Sequence, residues 1–114
     1  MQMTINIEDH AGVKIVRLSG ELGANEGQSL IEEITEALKG RGACAVIDMS
    51  GVPSISSAGI GAVVRIKAQA NTQEQTVLFA NPSPFVSGVF IASKLDKFLE
   101  IYASVDQALQ SLQD

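Results

Sequence analysis

The chain has 114 residues and a formal net charge of −5, and 46% of its residues are hydrophobic whereas 4% are aromatic. Length and composition favour one globular domain, residues 1–114, with an aliphatic core. The negative charge argues against nucleic acid or an anionic membrane surface as partner, since both require clustered Lys and Arg.

The beginning of the chain predicts a β-hairpin and no targeting signal. No basic start precedes an apolar run, and no apolar run reaches the ~18 residues of a membrane span, so we expect a cytoplasmic location. Alternating apolar and polar residues from Thr4 to Leu18, interrupted by His10-Ala11-Gly12, predict two strands and a turn.

An amphipathic helix and a buried strand are predicted next. Asn25 is expected to cap the helix and Gly40 to end it. The apolar run ACAVIDM then predicts a central strand buried on both faces, in which Cys44 is a small buried residue without metal or redox role. The helical spacing is carried by Leu30, Ile31, Ile34, Ala37 and Leu38.

The remaining chain alternates helices with short strands. Helices are predicted from the Ser56–Ser57 pair to about Asn71, from Pro84, and after the cap Ser104, with strands in QTVLFAN and FLEIY. The order ββαβαβαβα predicts an α/β domain. Its mixed sheet should have four to five strands, with parallel pairs joined by crossovers and about four helices mainly on one face.

The segment VIDMSGVPSISSAGIGAVV places two serines and two glycines where the buried strand is followed by a helix. We consider three interpretations: a capped helix alone, a nucleotide or catalytic site, and a phosphorylation switch. One serine suffices for a cap; we expect Ser56 to be that cap and Ser57 to be exposed in the first turn of the helix. Each glycine costs a helix roughly 1 kcal/mol. Gly59 and Gly61 therefore indicate close approach of another backbone, from the sheet or from a partner protein.

Catalysis is disfavoured by the residues that are missing. A serine nucleophile needs a base, and the one histidine, His10, lies in or beside the hairpin turn. The motif G-x-S-x-G is absent, Val64 stands where a dinucleotide fingerprint has its third glycine, and there is no P-loop. No metal-ligand spacing occurs. We therefore expect no enzyme activity, no cofactor and no metal.

A phosphorylation switch uses the physics of a helix start. Free N–H groups and the positive dipole end tolerate a phosphate, which adds about −1.5 to −2 charges at neutral pH. The fold would survive the modification, whereas a partner docked on that surface would meet added bulk and charge.

The same segment resembles the signature of the STAS domain, which sulfate transporter tails and bacterial anti-sigma factor antagonists share. Asp48-Met49-Ser50 matches the first part of the family pattern, and the run from Ser56 to Gly61 matches the second. VRLSGEL and FANPSPFVSGVFIASKLDKFLEIY also resemble family segments, so the similarity covers nearly the whole chain. The expected subgroup is the stand-alone bacterial anti-sigma factor antagonist.

The resemblance implies a non-enzymatic regulator. Unphosphorylated, it would bind an anti-sigma factor of the histidine-kinase-like ATPase type and free a sigma factor. That partner would phosphorylate Ser57, with Ser56 as the rival site, and a metal-dependent serine phosphatase would reverse the modification. Gly23 and Ser56 fall where members often carry Asp. Alternatives are a scaffold subunit of a signalling assembly, an accessory subunit of a transporter and, from another class, a small nucleotide-binding domain.

Two predicted loops contribute a partner-binding surface. Loops at the carboxyl ends of parallel strands gather at one edge of a sheet, so both loops should lie on one face of the molecule. The predicted surface comprises Ser19, Glu21, Gly23 and Asn25 after the second strand and Ser54, Ser56, Ser57, Gly59 and Gly61 at the strand–helix junction.

Overall fold

The computed structural model describes residues 3–113 and confirms the predicted order of strands and helices. A short 3-10 helix, Leu95–Lys97, lies between the third helix and the last strand. The strands are β1 Thr4–His10, β2 Val13–Ser19, β3 Cys44–Gly51, β4 Thr76–Ala80 and β5 Ile101–Tyr102. The helices are α1 Ala24–Ala37, α2 Ser57–Gln73, α3 Pro84–Ala92 and α4 Val105–Ser111.

The five strands form one mixed sheet in the order β1-β2-β3-β4-β5. β1 and β2 are antiparallel and joined by Ala11 and Gly12, whose φ angles of 53° and 87° suit a tight hairpin turn. β2, β3, β4 and β5 pair in parallel, so each connection crosses the sheet through a helix. The predicted sheet is confirmed.

The core lies mainly on one face of the sheet, as predicted. Alternation along β3 directs Ala45, Ile47 and Met49 into the larger cluster, which α1, α2 and α3 cover. Val46 points to the opposite face, where it packs with Leu78, Ala80 and Ala108 of α4 in a smaller cluster. Three helices therefore cover one face and α4 covers part of the other.

Both predicted ends of α1 are wrong. The N-cap is Gly23, because the carboxylate of Glu26 reaches back and accepts from the Gly23 N–H at 3.1 Å. Asn25 is already helical and exposed. The helix ends at Ala37, since Leu38 becomes extended and is buried in the core, and Gly40 lies beyond it.

Other boundaries depart less from expectation. α2 continues to Gln73 and stops at Glu74, which has a left-handed φ of 57°. Pro84 occupies the first turn of α3, and Ser104 caps α4 by accepting from Gln107 N–H, as predicted. Cys44 is half-buried rather than buried, because it begins β3 and its Sγ lies 3.4 Å from the Gly42 oxygen.

The β5 strand is shorter than the predicted FLEIY segment, because the preceding residues continue the 3-10 turn. The Leu99 N–H donates to the Leu95 carbonyl at 2.8 Å. None of the helices within residues 3–113 combines the length and apolar character needed to cross a membrane.

Candidate functional site at the carboxyl edge of the sheet

Three loops, residues 20–23, 52–56 and 81–83, meet where β2, β3 and β4 end. We call these loops, together with Ser19 and the first turns of α1 and α2 that adjoin them, the carboxyl edge. The first two loops are bonded to each other, since Leu22 N–H donates to Ser54 O at 3.1 Å and Ser56 N–H donates to Leu22 O at 3.0 Å. Leu22 and Ile55 form an isolated parallel bridge. The structure therefore brings the two predicted loops together.

The third loop is tied to the second by a side chain. Ser83 Oγ donates to the Val52 carbonyl at 2.8 Å and accepts from Val86 N–H at 3.4 Å, so it both caps α3 and holds the β3–α2 loop. No local sequence pattern predicts this connection, because it joins residues that are distant along the chain.

Ser56 and Ser57 have different positions at the start of α2. Ser56 is the N-cap with an extended backbone, and its Oγ accepts from the Gly59 N–H at 3.2 Å. Ser57 is the first helical residue; it is exposed, and its hydroxyl is not the one that caps the helix. The interpretation of Ser56 as the cap is confirmed. The Ser57 hydroxyl is thus available at a helix end that has unbonded N–H groups.

Gly59 and Gly61 are glycines for different reasons. A Cβ on Gly59 would lie 2.2 Å from the Leu22 oxygen and 2.9 Å from Ile55 Cγ1, so only glycine fits against the β2–α1 loop. A Cβ on Gly61 would meet nothing within 4 Å. Gly59 is therefore required by the fold, whereas the packing of this chain does not require Gly61.

The predicted partner-binding residues mostly reach the surface of the carboxyl edge. Gly23 and Ser56 are neighbours, since a Cβ on Gly23 would lie 3.9 Å from Ser56 Oγ. Gly59 is buried, so it shapes this surface from beneath and does not form part of it. The exposed members are Ser19, Glu21, Asn25, Ser56, Ser57 and Gly61, and the half-buried ones are Gly23 and Ser54.

A shallow groove between α1 and α2 begins at Ala58, the residue after Ser57. Ala58, Gly61 and Arg65 recur at helical spacing along its α2 side, and Ala24 and Gln28 line its α1 side. The Arg65 side chain is exposed, and it has no ion pair among residues 3–113. Sequence reasoning missed Arg65, although its spacing from Ala58 and Gly61 indicated a common helix face.

A charged pair fixes the end of β3 on the other face of the sheet. Asp48 is 7% exposed; its Oδ2 accepts from Arg17 Nη1 at 2.8 Å, and its Oδ1 accepts from Ser50 N–H at 3.0 Å. Partial burial acts to lower the pKa of Arg17, but hydrogen bonds to Glu8 and Asp48 outweigh it, so the pKa rises. Asp48 thus orients the start of the β3–α2 loop.

His10 is remote from the serines. It pairs with Val13 at the beginning of β2, whereas Ser57 lies beyond the carboxyl end of β3. Within the described range, no three His, Cys, Asp or Glu side chains are grouped so as to hold a metal ion.

Fold and site together define a small α/β domain with an exposed serine where a helix begins at the carboxyl edge of the sheet. The family model described as STAS domain matches residues 4–108, so the chain belongs to the STAS domain family. The resemblance noted from the sequence is confirmed.

Known relatives share nearly the full length of this chain. It is 29% identical over 115 residues to the anti-sigma F factor antagonist of Paenibacillus polymyxa, covering 99% of this chain and 97% of that protein. A solved anti-sigma factor antagonist from Mycobacterium paratuberculosis has a TM-score of 0.84 at 25% identity, covering 99% and 96%. The phosphorylated form of the Bacillus cell fate determinant SpoIIAA has a TM-score of 0.71 at 21% identity, covering 96% and 99%.

Proposed function

We propose that this chain is a cytoplasmic, non-enzymatic anti-sigma factor antagonist that binds its partner through the carboxyl edge. The partner is an anti-sigma factor of the histidine-kinase-like ATPase type, which also phosphorylates Ser57 and so ends the binding. A metal-dependent serine phosphatase restores the binding form. The full-length relatives named as anti-sigma factor antagonists support the regulatory class. The chain itself uses no cofactor in this scheme.

The proposed switch is supported mainly by the different positions of the two serines: Ser56 caps the helix, and Ser57 is exposed. Ser56 already caps α2, so a phosphate on Ser57 would leave that cap intact. The helix dipole and the free N–H groups of the first turn favour a negative charge at this position. Phosphorylation of Ser57 is therefore compatible with the fold.

The surface around Ser57 suits a protein partner. Ala58 and Gly61 leave a shallow groove between the helices, and the open space at Gly61 admits a partner's side chains. A phosphate adds about −1.5 to −2 charges and three acceptor oxygens at the end of that groove. A partner lying over the groove would have to desolvate this charge, and binding would weaken.

The proposal is tested with the cognate anti-sigma factor, ATP and three variants. Ser57→Ala should bind like the wild type and stay bound when ATP is added. Ser57→Asp should fold and bind about 100-fold more weakly, because a desolvated charge would lie inside the contact surface. Gln110→Glu is the control and should bind like the wild type, since it adds one negative charge at an exposed position of α4, which packs on the opposite face of the sheet.

Calorimetry gives the affinities, and mass spectrometry after incubation with ATP identifies the modified residue. Phosphate on Ser56 would place the switch one residue earlier and contradict the assignment. No phosphate on either serine, with unchanged binding of Ser57→Asp, would favour a scaffold or transporter subunit. ATP hydrolysis by the pure chain, abolished by a single substitution, would overturn its non-enzymatic character.

A further inference from the structure

The outward side of α3 is apolar throughout. Phe85 is 58% exposed and Ile91 is 60% exposed, whereas Val86 and Phe90 are buried and hold the helix on the sheet. A surface helix ordinarily presents polar residues to water, and a continuous exposed apolar patch marks an interaction site. We call this patch the α3 face; it consists of the exposed residues Pro84, Phe85, Gly88, Ile91 and Ala92.

Two basic residues follow the α3 face directly. Lys94 and Lys97 are exposed and have no ion pair within the described part of the chain, and Asp96 between them is not paired with either. Most other cations of this acidic chain are neutralised; Lys14, Arg17, Lys39, Arg41 and Lys67 pair with carboxylates. The charge beside the α3 face therefore complements an acidic partner.

The α3 face begins at the carboxyl edge. α3 begins at Ser83, whose hydroxyl donates to Val52 O at 2.8 Å, and Val52 belongs to the loop that leads to Ser56. The Cβ position of Gly88 is open, with nothing within 4 Å, so a partner can approach the helix closely at its middle. This hydrogen bond links the amino end of α3 to the loop before α2, and the α3 face extends from there towards Lys94.

We propose that the α3 face, with Lys94 and Lys97, docks an apolar segment flanked by carboxylates on the same partner protein that lies over Ser57. This inference rests on the proposed function and extends its contact surface from α2 to α3. Apolar contacts at Phe85 and Ile91 hold the partner's segment, and the two lysines orient it. The Ser57 switch then acts on one part of a larger interface.

Binding of the purified cognate anti-sigma factor tests the apolar part. Ile91→Gln should weaken the affinity about tenfold, since a truncated anchor in a protein interface has an effect of this size. It should unfold at the same temperature as the wild type, because Ile91 is exposed. If Ile91→Gln binds the partner as tightly as the wild type, the inference is overturned. Weaker binding of the Ser57→Asp variant would in that case still support the proposed function.

Charge reversal tests the contribution of Lys94 and Lys97, with two basic residues elsewhere in the chain as the control. The double variant Lys94→Glu with Lys97→Glu should bind about tenfold more weakly, whereas Lys39→Glu with Arg41→Glu should bind like the wild type. Lys39 and Arg41 lie in the connection from α1 to β3, a different segment of the chain from the α3–β5 connection that carries Lys94 and Lys97. Equal effects of the two double variants would show a general charge effect and overturn the assignment.

Photo-crosslinking identifies the occupant. A benzoylphenylalanine introduced in place of Ile91 and another in place of Gly61 should each capture the same anti-sigma factor in cells. Capture of a second copy of this chain at position 91 would overturn the inference. So would binding of the wild-type chain to phosphatidylglycerol vesicles that the Ile91→Gln variant no longer shows. No capture at either position, together with no binding of the wild-type chain, would instead refute the proposed function and the inference together.

Discussion

The inner and outer sides of the first two turns of α2 use the same two residue types for opposite purposes. On the inner side, Ser56 caps the helix and Gly59 lets it approach the Leu22 carbonyl. On the outer side, Ser57 is exposed, and Gly61 has nothing near its Cβ position. The inner pair is explained by the stability of this chain, whereas the packing of this chain does not explain the outer pair, for which we propose phosphorylation and partner binding.

The largest expected difference between the two sides is in the glycines. Gly59→Ala should lower the free energy of unfolding by about 3 kcal/mol, because the new methyl meets a backbone oxygen that cannot move aside cheaply. Gly61→Ala should raise it by up to about 1 kcal/mol, since alanine is the better helix former and meets no atom. Urea unfolding measures both changes, and equal effects would remove the distinction between inner and outer sides.

The two serines should differ less than the two glycines in their effect on stability, and again the residue on the inner side should matter more. Ser56→Ala removes the hydroxyl that accepts from Gly59 N–H and should lower the free energy of unfolding by about 1 kcal/mol. Ser57→Ala should leave stability nearly unchanged, because its hydroxyl is not the cap. Thermal unfolding of the two variants side by side checks this. A greater loss in Ser57→Ala would mean that the outer serine also supports the fold.

The smallest expected effect on stability is in the β1–β2 hairpin, which is remote from both sides of α2. Hydrogen bonds from Lys14 and from Gly12 N–H lower the pKa of Asp9 below its usual 3.8. A lowered pKa means that ionised Asp9 stabilises the folded state at pH values above 3.8, and that this contribution disappears as the pH falls through the folded-state value.

Asp9→Asn should therefore be slightly less stable than the wild type at neutral pH, and the difference should shrink in acid. Denaturation at a series of pH values measures it, with Glu33→Gln, an exposed carboxylate of α1, as the control. Partner binding of Asp9→Asn should equal that of the wild type. A pH-independent difference would show that Asp9 acts through something other than its charge.

The sequence by itself determined those features that neighbouring residues control. The order of elements follows from apolar periodicity, and the caps Ser56 and Ser104 and the position of Pro84 follow from local hydrogen bonding and a fixed φ. The exposed serine at the start of α2 followed from the same reasoning, because a cap and its successor point in different directions.

Only the tertiary structure decided the contacts between residues that are distant along the chain. Gly40 does not end α1, because burial of Leu38 in the core ends the helix first; the predicted cap Asn25, by contrast, was wrong for a local reason, since Glu26 bonds back to Gly23 three residues earlier. The reason why Gly59 must be glycine lies in the Leu22 carbonyl of another loop, and no local pattern contains that oxygen. The tertiary structure likewise decides which side of α3 is exposed, because Val86 and Phe90 occupy the side that packs on the sheet.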